Sequence, residues 1–452
     1  MRSSKAHSSF RLWVLLVILA FSSVTSSPQS NSSSAKPPIA TAQKLLEGLQ
    51  LNAYSQLGGF PKQYSEKDLE SARRESDERL LAAMSKFPGA DKNRIEKLRR
   101  DLAAARQSLG HPPLPTKYEN RFAYETMLTI ANQIEVKAAE FRRTHPSLPS
   151  VLPSKSQIVF GTLPSGQVGA YTYVLNSIEK DKANQVFLIV FESGLMRFAE
   201  VMSRTLIRAL PQADPKGAFL SLTTDRAAVE KQLDLDPEIV RDFYDVVSSY
   251  VLKGGPYLST TPALELSEPY ESFATLLYRS SLLFAMGHEY GHVIFIQNRD
   301  DMKIDPHWPK GWQEEFFADG WGITLSLIAA GSNTDLESTV LGARFFFLCF
   351  DIIERAISMI QTGLDVYRAK TDHPPANRRA ERISRYVLAS LRDFWNLEPQ
   401  SLNDFNKLMD ESENLDTVAG ILWERISPKL RKLHSDGAPI VPSWNALSLP
   451  RN

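Results

Sequence analysis

His288-Glu289-Tyr290-Gly291-His292 places two imidazoles four residues apart with a carboxylate beside the first. On an α-helix, residues at that spacing share one face with about 6 Å between their Cβ atoms. Both rings can therefore reach one tetrahedral zinc ion. Glu289 sits where it can reach a water on the metal rather than the metal itself, the position of a general base in HExxH hydrolases. The competing reading is two core histidines flanking a buried acid.

Two imidazoles leave the site one ligand short, because catalytic zinc usually takes three protein ligands and keeps a position for water. A third His six residues after the second would mark the metzincin pattern, but that position is Asn298. His307, in a Pro-flanked loop, could in principle swing in. Glu315 is the stronger candidate, 23 residues after His292 in Glu314-Glu315-Phe316-Phe317-Ala318-Asp319. That spacing suffices to turn the chain and lay a second helix along the first. Asp319 lies one helical turn further on the face of Glu315, where it could accept the second N–H of a metal-bound imidazole and fix its tautomer. Burying both acids among Phe316, Phe317 and Trp321 would be costly without a cation. Glu314 points elsewhere on the helix and is the less favoured ligand. The alternative for this segment is a solvated helix start enriched in acids.

The elements that must position these residues are legible from periodicity. Glu271 to Gln297 reads as one long apolar helix carrying HExxH in its C-terminal half. A loop with Pro306 and Pro309 follows, and a second helix runs from near Trp312 to about Ala330. Upstream, Gln157 to Phe160, Tyr171 to Leu175 and Val186 to Phe191 read as strands, with a turn signal at Pro164-Ser165-Gly166. Helical periodicity marks 195–210 and 226–252. Asp335 to Tyr367 reads as a buried helix, since Arg344, Asp351 and Glu354 interrupt it short of a membrane span. The chain beyond it is helical. The expected fold class is α+β and mostly helical, with strands before the HExxH helix as in a zincin-like lobe, where an edge strand can hold a peptide by main-chain pairing.

The chain has 452 residues, with 52 Lys plus Arg against 52 Asp plus Glu, so no global field recommends nucleic acid or an anionic membrane as partner. Arg2, Lys5 and Arg11 precede the apolar run Leu12 to Phe21 and a Ser-rich stretch, the layout of a secretory signal peptide over 1–26. Export to a periplasm or outward secretion is expected, the alternative being an uncleaved N-terminal anchor as the sole membrane attachment. A flexible linker is expected over 27–40, a helical domain over 41–144 (helices 66–86, 91–108 and 118–143), a peptidase-like domain over 145–395 and a helical tail over 396–452. The proline-rich run 145–153 marks the central boundary. Cys349 is the single cysteine, which excludes intrachain disulfides and thiolate zinc cages, and it reads as a small buried apolar residue.

HEYGH, then Glu315-Phe316-Phe317-Ala318-Asp319, then Asp372-His373-Pro374-Pro375 with Arg379 behind it, resembles the gluzincin metallopeptidases of the prenyl-protein-protease and HtpX type. The likeness covers about residues 270–385. It implies His288, His292 and Glu315 as ligands of one zinc ion, Glu289 as catalytic base, Asp319 as the acid orienting an imidazole, and His373 near the scissile carbonyl. Pro374 and Pro375 also suit a simple helix start, with Thr371 or Asp372 as cap. Many members are membrane-embedded; this chain shows no internal span and a shorter spacer from His292 to Glu315, so a soluble exported relative is expected. The implied activity is zinc-dependent endopeptidase action on a peptide or protein substrate, with His373 or Tyr367 donating to the oxyanion. The alternatives are a non-catalytic, chaperone-like exported protein on a zincin scaffold, or hydrolysis of another bond.

Overall fold

A computed structural model describes residues 39–57, 113–144, 157–164, 169–175, 185–211, 225–253, 270–299, 310–330, 333–366, 373–394 and 399–440, with isolated positions between them. The leader, nearly all of the linker, His307 and Tyr367 lie outside the described residues. Of the expected helices 66–86 and 91–108 only scattered positions are described, and those are helical.

The architecture is α+β and mostly helical. In chain order come α1 (Ile39–Leu57), α2 (Arg121–Thr144), β1 (Ile158–Leu163), β2 (Ala170–Leu175), β3 (Val186–Glu192), α3 (Ser193–Arg208), α4 (Arg226–Leu235), α5 (Glu238–Lys253), α6 (Tyr270–Asn298), α7 (Lys310–Ala330), α8 (Asn333–Thr362), α9 (Ala376–Phe394) and α10 (Pro399–Ser435). Among the described residues no helix is long and apolar enough to cross a membrane.

The sheet has the order β1-β3-β2, with β1 parallel and β2 antiparallel to the central strand. Every residue of β3 is buried, because both sheet faces are covered. Successive strand side chains point to opposite faces. Val186, Leu188 and Val190 accordingly meet Ala42 and Leu46 of α1 in one small core. Phe187, Ile189 and Phe191 join the main core with α2, α3 and α6.

α6 is the axis of that main core. From Ser280 to Phe295 every residue is buried, and α2, α3, α7, α8 and β2 all pack against it. A helix apolar around its whole circumference has no other stable position than the interior. The helix ahead of the expected boundary at 144 shares this core: Ala123, Met127, Ile130 and Ile134 of α2 lie in the same cluster as Tyr290 and Phe295. Leu415, Val418, Leu422 and Ile426 of α10 belong to it too.

Two boundaries differ from the expected pattern. The helical stretch expected over 226–252 forms two helices, broken at Asp236-Pro237, since proline lacks an N–H and drives the residue before it out of the helical region. Arg208 clamps the corner, donating from Nε and Nη2 to the Asp236 carboxylate, both at 2.9 Å, and from Nη1 to Asp242 Oδ2 at 2.8 Å. α8 stops at Thr362 rather than near Tyr367, because Gly363 takes φ +74° and its N–H closes on the Met359 carbonyl at 2.9 Å.

A buried polar network ties α1 to β1. Gln50 Nε2 donates to Glu119 Oε1 at 2.7 Å and to the Thr162 carbonyl at 2.9 Å, while the Thr162 N–H and hydroxyl donate to Glu119 Oε2 at 3.0 and 2.5 Å. Burial pushes the Glu119 carboxyl up from 4.5 to about 7, with the bonds from Thr162 and Gln50 pulling the other way. Between those values the folded chain holds a proton that the unfolded chain has released. Stability therefore falls as pH rises from about 4.5 through 7, by on the order of 3 kcal/mol at about 1.4 kcal/mol per unit. Denaturant unfolding between about pH 4.5 and 6.5 should show that decline, and Glu119→Gln should flatten it over that interval.

Candidate metal centre

The two histidines of HExxH converge as their spacing requires: His288 Nε2 and His292 Nε2 lie 3.0 Å apart, both rings buried. Two donors held about 2.0–2.1 Å from a tetrahedral ion sit roughly 3.3 Å from each other. The ligand atoms of His288, Glu289 and His292 all lie within 4.8 Å of one another, so this buried cluster could hold a metal ion.

α7 supplies three carboxylates to the same pair of rings. Asp319 Oδ1 lies 3.1 Å from His288 Nδ1, and Glu314 Oε1 lies 3.1 Å from His292 Nδ1. A carboxylate opposite each Nδ1 places the ring proton there and turns both Nε2 lone pairs toward one point. Two lone pairs 3.0 Å apart repel unless a cation or a proton lies between them. Glu315 stands at the open side, with Oε2 3.5 Å from His288 Nε2 and Oε1 3.8 Å from His292 Nε2.

The opening of α9 completes the charge pattern. Arg379 pairs with Glu315 Oε2 at 3.1 Å through Nη1 and with Asp319 through two bonds, Nη2 to Oδ1 at 2.6 Å and Nε to Oδ2 at 3.0 Å. Its guanidinium also lies over the Phe347 ring, 4.7 Å from the centroid. His373, at the foot of α9, puts Nδ1 2.8 Å from Glu315 Oε1. α9 starts at Ala376 with the Pro375 carbonyl accepting from the Arg379 N–H, so the two prolines lead into the helix, as their fixed φ favours. This start brings His373 and Arg379 to Glu315 together.

Glu289, Glu315 and Asp319 are 3, 2 and 0 % exposed, and Arg379 balances only one of the three carboxylates. The surplus negative charge governs the titration of the site. Burial works against a charged His288, yet its bonds to Asp319 and Glu315 push its pKa up to about 9. Burial likewise works against a charged Glu315, but His373, Arg379 and His292 hold its carboxyl well below the usual range. Arg379 and His288 do the same for Asp319 against its own burial. A divalent cation at the converging Nε2 atoms would neutralise what Arg379 leaves unbalanced.

Backbone contact between α6 and α7 makes these distances possible. A Cβ on Gly287 would fall 2.7 Å from the Gly322 carbonyl oxygen, and one on Gly291 would fall 2.6 Å from the Ala318 Cα. These are the positions flanking His288 and His292, so the helices touch where the site lies. α7 begins at Lys310, which puts Glu314 and Glu315 in its second turn rather than at its start.

Glu314 and Thr172 escaped the reading of the sequence as contributors, and Arg379 entered it only as the residue behind the His-Pro element, with no role. Glu314, set aside as pointing elsewhere, is the carboxylate partner of His292. Arg379 supplies part of the cation that the buried acids demand, a demand visible in Glu315 and Asp319 themselves. Thr172 of β2 gave no signal at all: its hydroxyl donates to Glu289 Oε2 at 2.8 Å. No protein-family model, curated protein or solved structure matches the chain.

Gly291→Ala should force α6 and α7 apart, cost about 1–3 kcal/mol as overpacking does, and weaken metal binding, read by thermal unfolding and by metal content. Glu314→Gln should leave the fold intact and weaken metal affinity about 10–100-fold, measured by competition with a chromophoric chelator.

Proposed function

We propose that the chain is a zinc-dependent endopeptidase on a zincin-like lobe, with His288, His292 and Glu315 as the protein ligands and Glu289 as general base. The observation that carries this reading is the pair of Nε2 atoms facing each other at 3.0 Å, each ring held from behind by a carboxylate. A metal ion between the two nitrogens accounts for that approach, as a proton shared by them also would. Glu315 offers one oxygen to each imidazole, whereas the Glu289 carboxylate is bonded to Thr172, which supports Glu315 as ligand and Glu289 as base.

Zinc, when bound, supplies a lowered pKa for a water and polarises a substrate carbonyl. Glu289 would then accept a proton from an attacking water and pass it to the departing amine. His373, about a quarter exposed with Nδ1 2.8 Å from Glu315 Oε1, is the residue assigned in this reading to donate to the developing oxyanion, with Tyr367 as the alternative. Asp319 and Glu314 keep the two imidazoles in one tautomer and orientation. β2, which packs against this helix, is an edge strand of the described sheet, and an extended peptide pairing along such an edge is the binding mode this reading expects.

The basic and apolar leader over 1–26 supports export, with membrane attachment confined to that segment if it stays uncleaved. The zero net charge provides no global field that would recommend nucleic acid as a partner. The resemblance of HEYGH, Glu315–Asp319 and His373-Pro374 to gluzincins of the prenyl-protein-protease and HtpX type supports the same ligand set.

Protein expressed from residue 28 onward should carry about one zinc per chain, and Glu315→Ala should lose it or bind it far more weakly. Glu289→Gln should keep the zinc and lose about 10²–10⁴-fold of its activity on a peptide library. Wild-type protein that folds without binding zinc, or a fully active Glu289→Gln, sinks this reading. Client binding unchanged by Glu289→Gln and by chelation would favour the chaperone-like alternative.

A further inference from the structure

The strand face on which Thr172 lies is otherwise apolar. Ala170 and Val174, its neighbours at period two, pack against the main core, while Tyr173 and Leu175 point to the smaller core on the other face. A half-buried hydroxyl in that row costs free energy unless it is bonded. Its bonds go to one residue: Thr172 Oγ1 lies 2.8 Å from Glu289 Oε2 and 3.2 Å from the Glu289 carbonyl oxygen. The carboxylate contact is the shorter one and is charge-assisted.

The acids around the two histidines divide sharply by partner. Glu314, Glu315 and Asp319 all face imidazole or guanidinium nitrogens. The Glu289 carboxylate, 3 % exposed, faces a neutral hydroxyl from a different layer of the fold. A base flanked by two imidazoles and a guanidinium would otherwise be free to swing toward them. A base also needs one oxygen held and one free to meet the proton it takes.

We infer that Thr172 is a positioning residue for Glu289: its hydroxyl holds Oε2, leaves Oε1 for the attacking water, and ties the base to the sheet-edge strand. The assignment rests on the peptidase reading for its purpose, but the hydrogen bond itself can be tested apart from activity. Valine is the isostere that lacks only the hydroxyl and suits a strand; serine keeps the hydroxyl; alanine stands in should the valine chain fail to fold.

Crystal structures of the zinc-loaded wild type, Thr172→Val and Thr172→Ser give the first readout. The expected result is Glu289 Oε2 bonded to residue 172 in the wild type and the serine variant. In the valine variant the Glu289 carboxylate should turn away or occupy two rotamers, with His288, His292 and Glu315 unmoved. A Glu289 that keeps its place in the valine variant overturns the inference. The second readout is turnover of a quenched peptide: kcat should drop about 10–100-fold in Thr172→Val, with KM and zinc content unchanged and most of the loss restored by serine. Wild-type kcat in the valine variant also overturns it. Failure of the wild type to cleave any peptide would count against the peptidase reading instead, and the crystallographic comparison would still decide Thr172.

Discussion

Helices α6 and α7 meet backbone to backbone, Gly287 and Gly291 against Gly322 and Ala318, and the distances from the α7 carboxylates to the two imidazoles follow from that contact. Any side chain at those positions would hold the helices apart by its own thickness. Glu314, Glu315 and Asp319 could not then reach the rings of His288 and His292 at 3.1 to 3.8 Å. The apolar seam is short, and the rest of the interface is aromatic packing, Phe295 on Phe317 among others. Small residues bring the backbones together, and large ones around them exclude water.

Excluding water raises the stakes of the charges enclosed. Three buried carboxylates beside one guanidinium would destabilise an ordinary core. Here they are distributed so that each meets a donor: Asp319 meets Arg379 and His288, Glu315 meets His373 and Arg379, and Glu289 meets Thr172. Four separate parts of the chain supply these groups: β2, α6, α7 and the start of α9. Each member of this site is held by at least one other, and the buried carboxylates outnumber the guanidinium beside the two facing Nε2 atoms. That combination suits a small divalent cation.

Local patterns along the chain announced most of the elements. The strand of alternating core assignments, Val186 to Glu192, reads as continuous apolar sequence because both its faces are covered. The α6 helix reads as apolar on all sides for the same reason. The breaks are local too, though they carry less weight in a periodic pattern: Pro237 ends one helix where the spacing of apolar residues continues, and Gly363 ends another five residues before the apolar pattern stops. The partnership of α1 and α2 with the sheet and with α6 was not visible, since the residues that mediate it, Leu46 and Met127 for instance, are ordinary members of amphipathic helices. Nothing in such a stripe names the surface that will cover it.

The site divides in the same way. Helical geometry alone determined that His288 and His292 face one point, that Glu289 stands beside them, and that Glu315 and Asp319 share one face of the next helix. These are relations within three or four residues, set by 3.6 residues per turn. Tertiary structure decided which nitrogen each acid meets, gave Glu314 its place on His292, and brought Arg379 and His373 to Glu315 across some sixty residues of chain. It also set Thr172 against Glu289 from another layer altogether, 117 residues away. Contacts of that kind depend on how helices and sheet pack, and packing is a property of whole surfaces rather than of any short run of residues.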